Sequence, residues 1–152
     1  MSLVIESSAI DRPECINLMG ELGREVDQIY GNKESSLSAL AGMDQPGAAF
    51  LLARVDGEAV GCGAIRPLTR EIGEVKRMYV RPGARRTGVA RAIMEALEQL
   101  ARKGGFTEVW LETGLGQPGA VRLYESLGYK RIAAFGDYRD DPVSICFGKS
   151  LT

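Results

Sequence analysis

Residues 80–94 read VRPGARRTGVARAIM, and this stretch decides how the chain is interpreted. Residues 71–80 before it are predicted as a β-strand, and residues 88–103 repeat apolar side chains at helical spacing. The stretch is therefore a basic loop that joins a strand to a helix N-terminus. No acidic residue lies between Glu74 and Glu95, although the formal net charge of the chain is −1. Because the positive charge is confined to this stretch, the sequence predicts a small anionic ligand there.

The turn before the helix has the composition of an anion site. Backbone N–H groups and the helix dipole favour negative charge at such a position. Gly88 and Ala90 leave room for a phosphate to approach the backbone, and the neighbouring arginines can bind phosphate oxygens as a fork. A solvated arginine loop is the alternative at this point. The sequence contains neither GxxxxGK[ST] nor GxGxxG after an early strand, which opposes an NTPase or dinucleotide fold.

Composition limits the class of protein. The 152 residues, of which 45% are hydrophobic, predict one domain over residues 1–152. The absence of a signal segment and of a long apolar run, with three unpaired cysteines, predicts a cytoplasmic protein with no membrane partner. A pI near 5.6 opposes general affinity for nucleic acid. The chain has no histidine, which excludes imidazole bases and most zinc sites, so no metal is predicted.

The predicted elements follow the order β-α-α-β-β-β-α-β-α-β-β. Asp11 and Glu14 form a D-x-x-E capping pattern before a helix that runs to about Tyr30. A short helix is predicted at residues 36–41, and Asp56-Gly57 predicts a hairpin. The later predictions are a strand at 107–113, a helix at 118–127 and closing strands at 129–135 and 143–150. This order predicts an α/β (α+β) fold with a mixed sheet of about seven strands and helices on both faces.

Two motifs together resemble the GNAT superfamily of acyl-CoA-dependent N-acyltransferases. The family pattern [QR]-x-x-G-x-[GA] follows a strand and opens a helix, as residues 85–90 do here. A second family pattern, N-x-x-A-x-x-x-Y-x-x-x-G-[FY], resembles residues 117–129, with Gln117 where asparagine is commoner. The matching residues are Arg85, Gly88, Ala90, Ala120, Tyr124, Gly128 and Tyr129. The resemblance covers nearly the whole chain.

The resemblance implies where acetyl-CoA binds. In the family, the fourth and fifth strands separate, the pantetheine arm pairs with the fourth strand, and the pyrophosphate lies on the basic turn. Gln117 is either a pantetheine contact or a polar residue before a helix. The implied cofactor-binding residues are Met78, Tyr79, Val80, Arg85, Arg86, Thr87, Gly88, Val89, Ala90, Arg91, Gln117 and Ala120.

The resemblance also implies direct attack of an amine on the thioester, without an acyl-enzyme. Tyr124 is the predicted general acid, with a half-buried packing role as the alternative. Glu74 is the predicted base, with a plain surface carboxylate as the alternative, and Glu112 or a water relay is the reserve. Backbone N–H groups beside Met78 and Tyr79 are the predicted oxyanion donors.

The acceptor is left open by the sequence. Asp137, Asp140 and Asp141 could attract a cationic amine, whereas Arg66 and Arg77 could hold a carboxylate. Small amines, amino acids and peptide amines all stay open, as does a homodimer. Two other classes compete with the enzyme: a silent GNAT-like domain that only binds acyl-CoA, and a nucleic-acid binder that uses the arginines.

Overall fold

The computed structural model describes residues 2–31 and 42–152, which form one seven-stranded sheet. Its strand order is β1-β2-β3-β4-β5-β7-β6, and the β4–β5 pair is parallel while the other pairs are antiparallel. The strands are β1 (Leu3–Ser7), β2 (Ala49–Val55), β3 (Glu58–Pro67), β4 (Ile72–Val80), β5 (Glu108–Gly114), β6 (Lys130–Ile132) and β7 (Ser144–Ser150). The mixed sheet of the predicted fold is confirmed.

Helices cover both faces of this sheet, as predicted. They are α1 (Pro13–Tyr30), α2 (Val89–Lys103) and α3 (Pro118–Ser126), with 3₁₀ turns at Pro82–Ala84 and Gly136–Tyr138. The predicted short helix at residues 36–41 lies outside the described residues. Within residues 2–31 and 42–152, no helix has the length and apolar content that a membrane span requires.

Two apolar layers hold the helices against the sheet. On one face, α1 buries Cys15, Leu18 and Leu22 against Leu52 and its neighbours. On the opposite face, the buried stripe of α2 packs with the tyrosines of and after α3; this layer includes Val89, Ile93, Leu97, Tyr124, Tyr129 and Phe147. The helical spacing of the α2 stripe is what the sequence predicted.

The three cysteines are buried and free, so they act as small core residues. Burial raises the pKa of the Cys62 thiol to about 12, so this thiol stays protonated at neutral pH.

Local signals account for the turns. Asp56 and Gly57 both have positive φ, 51° and 87°, as a two-residue primed hairpin requires. Gly104 is the C-cap of α2. The positive charges of Arg102 and Lys103 in the last turn interact favourably with the negative end of the helix dipole.

The predicted capping box at the start of α1 is wrong. The N-cap is Arg12, which makes no side-chain capping hydrogen bond, and Pro13 occupies the first turn. Glu14 instead accepts hydrogen bonds from Arg54 on β2, at 2.6 and 2.7 Å. A cross-element ion pair has therefore replaced the local cap.

Candidate functional site

A cleft opens where β4 and β5 separate. The two strands pair only between Ile72–Val75 and Glu108–Leu111, after which β4 runs on to Val80 without pairing to β5. The cleft has a volume of about 250 Å³. It is lined by α1 (Leu22, Gly23, Val26), β4 (Val75, Lys76, Arg77, Met78), β5 (Leu111, Glu112, Thr113), α3 with its N-cap (Gln117, Ala120, Tyr124) and Tyr138.

A bulge in β4 shapes the floor of this cleft. Arg77 has φ 58°, which is uncommon for a residue other than glycine, and the pairing with β3 shifts between Cys62 and Ala64. Arg77 and Met78 therefore both lie opposite Gly63. A Cβ added to Gly63 would lie 2.5 Å from the Met78 sulfur, so a glycine leaves the space that the Met78 side chain occupies. The bulge turns the end of β4 and leaves its second backbone edge unpaired by any described strand past Val75.

The basic turn leads directly into α2. Arg86 and Gly88 have φ values of 65° and 88°, and Gly88 is the N-cap of the 15-residue helix. A Cβ added at Gly88 would meet no described protein atom within 4 Å. The first N–H groups of a helix have no partner within the helix, so this turn presents donors to open space.

Two arginines of the basic stretch are held within the protein. Arg81 pairs with Glu21 at 3.0 Å. Arg85 donates to the Val80 carbonyl at 2.8 Å and to Glu25 at 2.6 Å. These contacts fasten the loop to α1. To bind phosphate with its side chain as predicted, Arg85 would have to leave its ion pair with Glu25.

The other two basic side chains remain near the turn and exposed. Arg86 lies on the surface, and Arg91, one turn into α2, donates to the Ser126 hydroxyl at 2.8 Å. Thr87 points its hydroxyl back to the Ala84 carbonyl at 2.6 Å, which closes the turn. The candidate anion site therefore consists of backbone donors with Arg86 and Arg91 beside them.

Tyr124 is a buried residue that lines the cleft. Its side chain is 5% exposed, and its ring packs against Tyr129 and Phe147 at centroid distances of 6.0 and 6.3 Å. Burial raises the pKa of the Tyr124 hydroxyl, and the Glu112 carboxylate raises it further. The hydroxyl is therefore protonated at neutral pH and can donate into the cleft.

Glu112 lines the cleft from β5. Burial raises the pKa of its carboxyl, while a 2.6 Å hydrogen bond from the Ser144 hydroxyl and the nearby Lys76 ammonium act in the opposite direction. A carboxylate with a raised pKa is a stronger base than an exposed one. Glu112 can therefore take a proton from a group bound in the cleft.

Glu74 does not line the cleft and is only 2% exposed, so it is not a surface carboxylate. It accepts hydrogen bonds from Arg66 at 3.3 Å and from the Tyr138 hydroxyl at 3.2 Å. Lys76 in turn donates to Tyr138 at 2.7 Å. Glu74 thus reaches the cleft only through Tyr138 and Lys76, and its predicted role as base stays a prediction.

A sequence model described as "Acetyltransferase (GNAT) family" matches residues 15–129. The chain belongs to the GNAT acetyltransferase family. It is 38% identical over 137 residues to the IAA acetyltransferase of Azospirillum brasilense, covering 90% of each chain. The fold matches a solved acyl-CoA N-acyltransferase structure from Klebsiella pneumoniae with TM-score 0.82, 31% identity and coverage of 99% and 98%.

A third GNAT protein resembles this chain in fold alone. It is the family acetyltransferase of Elizabethkingia anophelis, whose structure has acetyl-CoA bound. Its TM-score is 0.72 at 17% identity, with 98% of each chain covered.

The predicted GNAT cofactor residues fall into three groups. Met78, Gln117 and Ala120 line the cleft with Tyr124. The turn residues 85–91 lie at the N-terminus of α2, where Val89 is buried in the core rather than presented to a ligand. Tyr79 and Val80 offer backbone only, since the Tyr79 hydroxyl donates to Glu21 at 3.3 Å and both side chains are buried.

Four polar residues of the site were not predicted. Lys76 and Tyr138 line the cleft, Ser144 holds Glu112, and Tyr30 bonds to Gln117. Lys76 lies on β4, four residues before the basic stretch, and could have been noticed from its charge. The other three come from distant parts of the sequence and carry no local motif.

Proposed function

We propose that this GNAT protein transfers the acetyl group of acetyl-CoA to a primary amine by direct attack. The observation that carries the proposal is the cleft itself, which is lined by the unpaired part of β4 and by Tyr124. The turn before α2 follows β4 along the chain. A pantetheine arm carries amides that can pair with a free strand edge, and a pyrophosphate suits backbone donors at a helix N-terminus. The acetyl-CoA bound by the Elizabethkingia protein supports the same ligand here.

The acid and the oxyanion donors are assigned within this site. Tyr124 is proposed to protonate the departing thiolate, because its hydroxyl is protonated, lines the cleft and makes no hydrogen bond within the described residues. The N–H groups beside Met78 and Tyr79, next to the β4 bulge, are proposed to stabilise the thioester oxyanion.

The proposed base is Glu112, the reserve candidate from the sequence. It lines the cleft with Tyr124, whereas Glu74 is buried behind Tyr138 and Lys76. We assign to Glu74 the fixing of those two side chains. A water between Glu112 and the acceptor ammonium could carry the proton, as in other general-base reactions.

The acceptor is proposed to be a small-molecule or peptide amine. The relative in Azospirillum is named an IAA acetyltransferase, so small molecules come first in a test panel. We place the reaction in the cytoplasm, because three buried free cysteines suit a reducing compartment. A homodimer stays a prediction.

Acetyl-CoA and coenzyme A should both raise the melting temperature, because phosphate and pantetheine contacts are common to the two ligands. A ligand at 100 times its Kd adds about 2.7 kcal/mol to the free energy of unfolding. In Gly88→Val the ligand-induced shift should be lost, since a β-branched residue does not adopt this positive φ and its side chain would enter the ligand's space. Thermal shift measures both effects.

The matched control is Gly83→Val, five residues earlier, in the 3₁₀ turn Pro82–Ala84. A Cβ there also meets no described atom within 4 Å, but its φ is ordinary. Gly83→Val should keep the shift. Equal shifts in the parent and in Gly88→Val would remove the phosphate assignment. Thiol release across an amine panel then tests transfer, and binding without any turnover would favour the silent acyl-CoA module.

Ser144→Ala should move the acid limb of kcat/KM to higher pH. The Ser144 hydrogen bond lowers the pKa of Glu112, so its removal lets that pKa rise. A base acts only when deprotonated, so more alkaline pH is then needed for the same rate. The measurement is a pH profile with one acceptor amine. Ser150→Ala, on the same strand but bonded to Thr152, should leave the profile unchanged; a fixed limb in Ser144→Ala contradicts the assignment of Glu112.

A further inference from the structure

The last residue of α1 is joined to the turn before α3. The Tyr30 hydroxyl accepts a hydrogen bond from the Gly116 N–H at 3.1 Å and donates to the Gln117 side-chain oxygen at 3.2 Å. Tyr30 and Gln117 are 87 positions apart in sequence. The contact therefore ties α1 to one wall of the cleft.

The direction of these bonds orients the Gln117 carboxamide. A tyrosine hydroxyl has a single proton. The Gly116 N–H is a donor and cannot accept that proton, so the Tyr30 hydroxyl donates to the Gln117 oxygen. Thr113 adds a longer contact to the same oxygen at 3.5 Å. The oxygen is thus held on the protein side. The amide nitrogen makes no hydrogen bond within residues 2–31 and 42–152, and Gln117 lines the cleft.

Two glycines make room for this arrangement. A Cβ at Gly114 would overlap the Tyr30 hydroxyl. A Cβ at Gly116 would lie 2.5 Å from the Ile29 side chain and 3.3 Å from the Tyr30 ring. Neither glycine has a positive φ, so the space they leave, and not backbone conformation, is what they provide at these positions. The turn is therefore shaped to the tyrosine.

We propose that Tyr30 is a positioning residue that holds the Gln117 oxygen, so that the amide nitrogen faces the cleft and donates to a pantetheine carbonyl of acyl-CoA. This rests on the proposed function. Glutamine has one more rotatable bond than asparagine, and an unfixed side chain must be ordered when the ligand binds. Tyr30 orders it beforehand. Tyr30 itself is not among the residues that line the cleft.

Tyr30→Phe tests the proposal, because it removes the hydroxyl and keeps the half-buried ring. Calorimetry should give a Kd for coenzyme A that is roughly 2- to 10-fold higher than in the parent, the range expected for one net hydrogen bond. The adenosine bisphosphate fragment of coenzyme A lacks pantetheine, and its Kd should not change. In a Gln117→Ala background, Tyr30→Phe should have no further effect on the Kd for coenzyme A.

Gly114→Ala gives an independent test, since its methyl group displaces the Tyr30 hydroxyl and leaves Gln117 intact. It should reproduce the Tyr30→Phe pattern with both probes. An unchanged Kd for coenzyme A in Tyr30→Phe, an equal loss for the fragment, or additive effects with Gln117→Ala would each overturn the positioning role. A parent protein that does not bind coenzyme A at all would overturn the proposed function with it, so the two failures are distinguishable.

Discussion

Glu112→Gln is expected to lose roughly 10²- to 10⁴-fold in turnover, the usual contribution of a positioned general base. The amide keeps the shape of the side chain and can still accept the Ser144 hydrogen bond, but it cannot take a proton from the acceptor ammonium. Steady-state kinetics with acetyl-CoA at saturation measures the loss. The rate that remains should have no pH limb from this carboxyl.

The stability of the same variant provides a second readout. Burial raises the pKa of Glu112 in the folded protein, so this group favours folding at low pH and opposes it once pH rises through the folded pKa. Removing the charge should therefore leave the melting temperature at neutral pH equal or higher. Glu108→Gln, on the same strand and bonded to Trp110, is the matched control and should keep full turnover. Parent-like turnover in Glu112→Gln would return the base role to Glu74 or to solvent.

Tyr124→Phe is expected to lose at least roughly tenfold in turnover, a barrier increase of about 1.4 kcal/mol. The hydroxyl is the only part of this side chain that can protonate a thiolate, whereas the ring makes the contacts with Tyr129 and Phe147. The melting temperature and the Kd for acetyl-CoA should therefore stay close to the parent values. Single-turnover kinetics is needed, because slow product release would hide a change in chemistry.

Tyr129→Phe is a control with the opposite expected result. Its hydroxyl donates to buried Glu98 at 2.8 Å, on a network with Lys149 rather than with the cleft. That variant should lower the melting temperature and keep turnover, the reverse of Tyr124→Phe. If both variants keep turnover under single-turnover conditions, Tyr124 is a packing residue.

The fold was predictable where local signals decide it. The Asp56-Gly57 hairpin and the buried stripe of α2 follow from turn chemistry and periodicity, and the structure agrees with both. Two features were not predictable. The strand predicted at residues 129–135 shortens to Lys130–Ile132, because its pairing is limited to three residues of β7. The β4 bulge places Arg77 at positive φ, a conformation that the sequence around it does not predict. The one residue whose type fits the bulge is Gly63, which lies opposite it on β3.

The candidate site was predictable as a location more than as chemistry. Motif spacing located the turn before α2 and placed Tyr124 beside the cleft. The ranking of the two carboxylates was not accessible, since Glu74 and Glu112 are both strand residues and only the separation of β4 from β5 exposes one of them. The arginine stretch likewise gave no sign that Glu21 and Glu25 neutralise Arg81 and Arg85 across 60 positions of sequence.

The limited pairing between β4 and β5 also bears on how the chain folds. Strands β1 to β4 join through antiparallel neighbours, and the β2–β3 and β3–β4 turns are short. Pairing of β4 with β5 closes a loop that contains the whole of α2, and this loop closure has an entropic cost. The pairing that offsets the cost involves only four residue pairs. We expect β5, α3, β6 and β7 to dock late in folding, after β1 to β4 have paired. The site, which takes residues from both halves, is then the last part of the molecule to be assembled.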